Sequence, residues 1–193
     1  MADQAKFVTG NLFRHITVMS LTASVGLMAV FIVDFVDLIF ISMLGKAELA
    51  AAVGYAGAIL YFTSAFGIGV AIAAGALVSR GVGAGQADEA RRLSTNSLTY
   101  GVVFGGLFAA AVWLNLPYLV ELLGATGETH ELAVHYLRIV VPSLPFLLVG
   151  MVGGAILRAH GDARRAMMAT VIGGIVNAVL DPILIFGLSL IHI

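Results

Sequence analysis

Apolar residues fill five long stretches of this chain, at 16–44, 50–79, 98–116, 132–157 and 167–187. Crossing the hydrocarbon of a bilayer takes roughly 20 mostly apolar residues in a helix, so each stretch predicts one membrane span. The first two exceed that length, which predicts tilt or ends that project beyond the lipid. The polar connections are short. Residues 45–49 join the first two spans, and 80–97 form the longest connection, RGVGAGQ followed by an amphipathic segment at 88–93. Pro117 ends the third span, 124–130 form a Glu- and Gly-containing turn, and 158–165 turn around Gly161 and Asp162. The pattern predicts an all-α polytopic membrane protein without linker, second domain or internal repeat. Buried helices of a large soluble protein are the alternative reading, and five such stretches in 193 residues argue against it.

Composition agrees. The chain is 60% hydrophobic and 11% charged, against about 25% charged in an ordinary soluble domain. A net charge of −1 offers nucleic acid no electrostatic footprint, and with no cysteine there are neither disulfides nor thiolate metal sites. The first stretch is too long for a signal-peptide core and contains Asp34 and Asp37, so it reads as an uncleaved span. Lys6, Arg14, Arg80, Arg91, Arg92, Arg158, Arg164 and Arg165 all fall on one side of the predicted membrane, whereas Lys46 lies on the other. Basic residues mark the cytoplasmic face. The N-terminus is therefore expected inside and the end of a fifth span outside, in the cell (inner or plasma) membrane.

Candidate chemistry concentrates at 177–182, NAVLDP, inside the fifth stretch. An aspartate at membrane depth is costly and by default marks an ion or proton site or a substrate path. Asn177 and Asp181 are four apart and share a helix face. Pro182 has no N–H, so the carbonyl of Ala178 loses its helical partner. A carboxylate, a carboxamide and a free carbonyl oxygen suit a proton or a small hard cation. The first span carries Asp34 and Asp37 on roughly one face. If the first and fifth helices are neighbours, Asp37 and Asp181 face one cavity. Carboxylates that close in a low dielectric do not all stay ionised, so one holds a proton or a cation bridges them. Asp34 is a secondary candidate, better explained by a wet vestibule or by pairing with another residue. The fourth span carries Pro142 and Pro145, which free the carbonyls of Arg138 and Val141 and predict a bend. Gly67, Gly69, Gly75, Gly101 and Gly105 read as close-packing positions. Arg138 reads as structural, by snorkelling or by pairing with Glu131 or an intramembrane carboxylate. His15, His130, His135 and His160 lack metal-ligand spacing, and the glycines at 81–85 miss GxGxxG.

Five stretches together resemble one family. They are VDLIFISMLG at 36–45, AELAAAVG at 47–54, LVSRGVGAG at 77–85, LRAHGDAR at 157–164 and NAVLDPILIF at 177–186. In order and spacing they resemble the N-terminal part of a MATE (multidrug and toxic compound extrusion) transporter of the DinF-like bacterial branch, over about residues 12–187. The resemblance implies twelve helices in two six-helix lobes that rock about a central cleft, exporting amphipathic, often cationic drugs in exchange for H⁺ or Na⁺. It implies that Asp37, Asn177 and Asp181 form the cation site of the N-lobe. No cofactor is implied, and no metal apart from a Na⁺ at that site. Five spans then amount to a truncated N-lobe at 1–187, with the sixth helix and the C-terminal lobe missing, and 188–193 (LSLIHI) read as a non-native tail.

The expected function is therefore that of a secondary active multidrug efflux antiporter, with a drug or organic cation, membrane lipid and the missing lobe as partners. A lipid-linked oligosaccharide flippase of the same superfamily is the alternative. It calls for more basic residues than Arg138 alone supplies within the spans. A non-transporting membrane assembly fragment is a third reading, and it has no need of aspartates at membrane depth. Catalysis is not expected. An intramembrane aspartyl protease needs a Gly-x-Gly-Asp site, and AHGD at 159–162 lacks the first glycine and lies in a turn.

Overall fold

The computed structural model describes residues 10–183 of the 193. Lys6, the last residues of the fifth apolar stretch and the expected tail at 188–193 lie outside the described residues. Seven α-helices run in order: α1 (Leu12–Met43), α2 (Ala47–Gly83), α3 (Ala87–Leu114), α4 (Leu116–Leu122), α5 (Gly127–Val140), α6 (Leu144–Ala159) and α7 (Ala163–Pro182). A 3-10 turn, Val141–Ser143, joins α5 to α6. Five units are long and apolar enough to cross a membrane: α1, α2, α3, α5–α6 taken together, and α7. The chain is an integral membrane protein with the all-α, five-span architecture that the apolar pattern predicts.

Local chemistry sets the helix ends. The Asn11 side chain accepts the Arg14 N–H at 3.3 Å, capping α1. Asp162 accepts the Arg165 N–H at 3.1 Å and pairs with its guanidinium at 3.2 Å, capping α7. Each satisfies one of the orphan donors at a helix start. Gly161, at φ 79°, makes the left-handed turn that lets α6 reverse into α7.

Two boundaries differ from the expectation. The connection expected at 80–97 is mostly helical, because α3 begins at Ala87 and the amphipathic 88–93 segment forms its first turns. Gly81 explains this: a Cβ there would meet Ala90 Cα and N at 3.2 Å. Only a bare glycine admits α3 so close to α2. The second difference is α4, a short helix between the end of the third span at Pro117 and the turn expected at 124–130, where the sequence reading assigned no element. Pro117 sits in its first turn, where a missing N–H costs nothing. Leu116 and Val120 are fully buried against α2 and α5, and the His130 ring Nε2 lies 3.0 Å from the Pro117 carbonyl. The break predicted in the fourth span is there, as the Val141–Ser143 turn at Pro142.

The core is a three-helix packing of α2, α3 and α5–α6. On α6, Leu148, Met151, Val152 and Ala155 press into glycine hollows of the other two helices. A Cβ at Gly67 would lie 2.9 Å from Met151 Sδ, one at Gly105 2.8 Å from Leu148 Cδ2, and ones at Gly101 and Gly75 3.6 and 3.5 Å from Val152 and Ala155. With no hydrophobic drive between helices in lipid, such close approach carries the association. Gly69 is a correction: it faces open space and packs against nothing within 4 Å.

Against this core lies a looser pair, α1 and α7. Only Gly26 is buried on α1, and only Ala163 and Ala166 on α7. The two helices run parallel. Gly26 sits against Met167 and Thr170, and Gly174 against Val33. Inserting a side chain into the core hollows overpacks them. Gly105→Leu is expected to destabilise the folded chain by about 1–3 kcal/mol, read as an earlier midpoint in SDS unfolding from mixed micelles. Gly69→Leu is expected to leave that midpoint in place or raise it. Equal losses in both variants would contradict the packing described.

Candidate functional site

The glycine contacts fix the register of α1 on α7, and that register has a chemical consequence. Moving outward from Gly26 beside Thr170, through Val33 beside Gly174, the pair next brings Asp37 to Asp181. Their carboxyl groups interact side chain to side chain, and Asp34, one turn below, adds its charge to Asp37. The structure sets α1 beside α7 and brings the Asp37 and Asp181 side chains together.

The pair is incompletely satisfied. Asn177 Nδ2 donates to Asp181 Oδ1 at 3.3 Å, across the one-turn spacing that the sequence gives. That leaves Asn177 Oδ1 free to act as an oxygen ligand. Asp37 Oδ1 and Asp181 Oδ2 are buried and have no hydrogen-bond partner. An unmet buried polar atom costs roughly 1–3 kcal/mol, more when charged. Two unit charges at about 4 Å repel by about 4 kcal/mol at an effective dielectric near 20. Among the described residues the one ion pair is Asp162–Arg165, so neither Arg138 nor any lysine neutralises the site. Arg138 takes no pairing role with Glu131 or with an aspartate.

Tyr136 of α5 is the residue that sequence reading missed. It lies within electrostatic range of both Asp37 and Asp181. A phenolic hydroxyl can donate to a carboxylate or accept from a protonated one. The available signal was a polar aromatic within an apolar span, six residues before Pro142. Nothing in the sequence tells which face of α5 meets α1 and α7. Asp34 is mostly exposed and joins the site only through its charge.

Carboxylate and carboxamide oxygens of this kind can hold a proton or a small hard cation. Among the described residues no three His, Cys, Asp or Glu side chains gather as a metal site. An apolar groove of about 520 Å³ between α2 and α3 is separate, for none of Asp37, Tyr136, Asn177 or Asp181 lines it.

Five spans, a glycine-seated core and a carboxyl pair between the first and last helices define a membrane protein with a polar site held at membrane depth. The comparisons name the family. The MatE family model matches residues 14–183, and the chain belongs to this family, the MATE transporters. It is 29% identical over 189 residues to the FAD transporter of Shewanella oneidensis, covering 98% of this chain and 42% of that protein. It is 26% identical over 187 residues to the multidrug export protein MepA of Staphylococcus aureus, covering 95% of this chain and 41% of that one. Its fold superposes on a MOP-superfamily transporter from Pyrococcus furiosus with a TM-score of 0.90 at 29% identity, over 96% of this chain and 41% of that structure. The chain thus spans about two fifths of the length of the relatives it matches.

Because the carboxyl oxygens at the pair go unmet, removing a charge relieves the fold. Asp37→Asn is expected to raise the thermal midpoint of the detergent-solubilised chain at pH 8 in sodium-free buffer, reflecting a stability gain on the order of 1–2 kcal/mol. A variant less stable than the parent sequence in sodium-free buffer would mean that Asp37 already has its partners.

Proposed function

We propose that the chain forms five helices of the N-terminal lobe of a multidrug efflux antiporter, at residues 1–187, with Asp37, Asn177 and Asp181 as its coupling-ion site. The observation that carries this reading is the α1–α7 register, which sets two carboxyls face to face with one oxygen of each unmet. The coupling ion is H⁺ or Na⁺. Either one neutralises the pair, and Asn177 Oδ1 with the freed Ala178 carbonyl would complete an oxygen shell for Na⁺. The exported compound is a small amphipathic organic cation. Three aspartates and one arginine lie within the spans, and that balance favours cationic over anionic cargo. The name of the Shewanella relative points to an anionic dinucleotide, and the flippase reading to an anionic lipid carrier. The charge balance disfavours both for this lobe.

The mechanism follows from differential affinity. With the pair charged and empty, mutual repulsion pushes α1 from α7, and a proton or Na⁺ draws them together. An ion that binds one arrangement better shifts the population toward it. Because α1 and α7 are seated on the core by few buried side chains, this movement disturbs little of the α2–α3–α6 packing. In the whole transporter the shift is expressed as exchange between inward- and outward-open lobes, which needs the second lobe as partner. In this reading the N-terminus is cytoplasmic and the membrane is the cell membrane; the arginines at the α2–α3 and α6–α7 turns support that orientation.

In the full-length transporter carrying this lobe, Asp37→Asn and Asp181→Asn are each expected to abolish drug resistance at unchanged membrane abundance. Asn177→Ala is expected to weaken it about tenfold, the loss of one ligand of about 1.4 kcal/mol. Resistance that falls only in step with protein level would remove the ion-site assignment.

A further inference from the structure

The groove between α2 and α3 takes no part in the ion site, and its length matches one leaflet of a bilayer. Its lining runs from Phe66 to Leu77 on α2 and from Leu93 to Phe104 on α3, around about 520 Å³. A short turn at 84–86 joins the two helices. Leu77 and Leu93 therefore stand level near the arginine-rich side, and Phe66 and Phe104 stand deep in the membrane. Each wall is a helical rise of about 16 Å. One leaflet of hydrocarbon is about 15 Å deep, half of the bilayer core. The groove thus reaches the midplane and stops there. Phe108 stacks on Phe66, with ring centroids 4.4 Å apart, and closes the deep end.

The chemistry of the walls changes along that length. The deep end is aromatic and aliphatic, whereas the end near the arginines offers Asn96 and Ser97. Those two make no side-chain hydrogen bond among the described residues, while Ser94, Thr95 and Thr99 beside them bond back to their own helix. Beyond the mouth, Arg80 follows Leu77 by three residues and Arg92 precedes Asn96 by four, so both continue the lining faces of their helices. Both are exposed, and neither has an ion-pair partner among the described residues, although Asp88 and Glu89 lie in the first turn of α3. Arg91 is a third cation there, so the mouth keeps a positive excess. We propose that this groove binds one anionic phospholipid from the leaflet on the arginine-rich side. An acyl chain lies between α2 and α3, Asn96 and Ser97 meet its ester oxygens, and Arg80 and Arg92 hold its phosphate. Basic pockets between spans on the cytoplasmic side bind acidic headgroups in this way. A helix of the transporter's other lobe fits less well, because it crosses both leaflets and the groove ends halfway at Phe108. The proposal does not depend on the ion site.

The test is native mass spectrometry of the 193-residue chain in neutral detergent, with added dioleoyl phosphatidylglycerol or dioleoyl phosphatidylcholine. One phosphatidylglycerol is expected to bind in preference to phosphatidylcholine. Arg80→Gln/Arg92→Gln is expected to weaken it about tenfold or more. Ala73→Phe, which fills the groove from an exposed position on the α2 wall, is expected to weaken it comparably. Ala73→Leu takes its place if circular dichroism shows that the phenylalanine variant loses helix. Arg14→Gln/Arg164→Gln removes the same charge from the same side of the membrane, away from the groove, and is expected to leave binding unchanged. Equal binding of the two lipids, equal losses in both arginine pairs, or binding indifferent to the Ala73 substitution overturns the site. The same measurement on the full-length transporter decides the occupant. Phosphatidylglycerol retained there supports the lipid, and its loss there means that the missing lobe covers the groove and overturns the proposal.

Discussion

Two carboxyl groups pressed toward each other by helix packing are the constraint around which this lobe is organised. Asp37 and Asp181 do not meet by mutual attraction. They meet because Gly26 and Gly174 let α1 and α7 approach in parallel, and the register of that approach leaves the aspartates no other place. The packing contributes what the charges oppose. Unmet oxygens in both residues mean that the site stores unfavourable free energy, which a proton or cation releases on binding. Stored strain of this kind is affordable only where the surrounding structure over-determines it.

The rest of the fold supplies that support unevenly. The α2–α3–α6 core is seated glycine against side chain, with little slack at Gly67, Gly101 and Gly105. By contrast α1 and α7 bury almost nothing and keep most of their surface open. A rigid body and a loosely held pair, with the ionisable groups between them, is the physical arrangement for a switch. A change of a few kcal/mol at the pair moves what is loose and leaves what is packed. The proline-broken fourth span belongs to the rigid side: Ala133, Leu137 and Val141 are buried in the core, and the Trp113 indole donates to the carbonyl that Pro142 frees.

Much of this was legible in the sequence, for identifiable reasons. Long apolar stretches give spans because the bilayer leaves the backbone no alternative to helix. Asn177 and Asp181 announce themselves by cost and by one-turn spacing, and their hydrogen bond follows. Pro142 and Pro145 announce a break. What the sequence withheld were facts of rotation and of contact between distant helices. Nothing in the sequence shows that Tyr136 lies within electrostatic range of Asp37 and Asp181, or that the Trp113 indole donates to the Arg138 carbonyl. Gly69 looks like Gly67 and Gly75 until the face of α2 it occupies is known. The start of α3 was misplaced because polarity at 88–93 reads as a loop, while the Gly81–Ala90 contact that makes it helix lies between two elements.

The central claim is that Asp37 and Asp181 act as one coupled pair. A double-mutant cycle on thermal stability in sodium-free buffer, with Asp37→Asn, Asp181→Asn and the two together, tests it most directly. The account predicts strongly non-additive effects, because either substitution alone already removes the repulsion between the two carboxyls. Effects that add would show two independent aspartates and contradict the account.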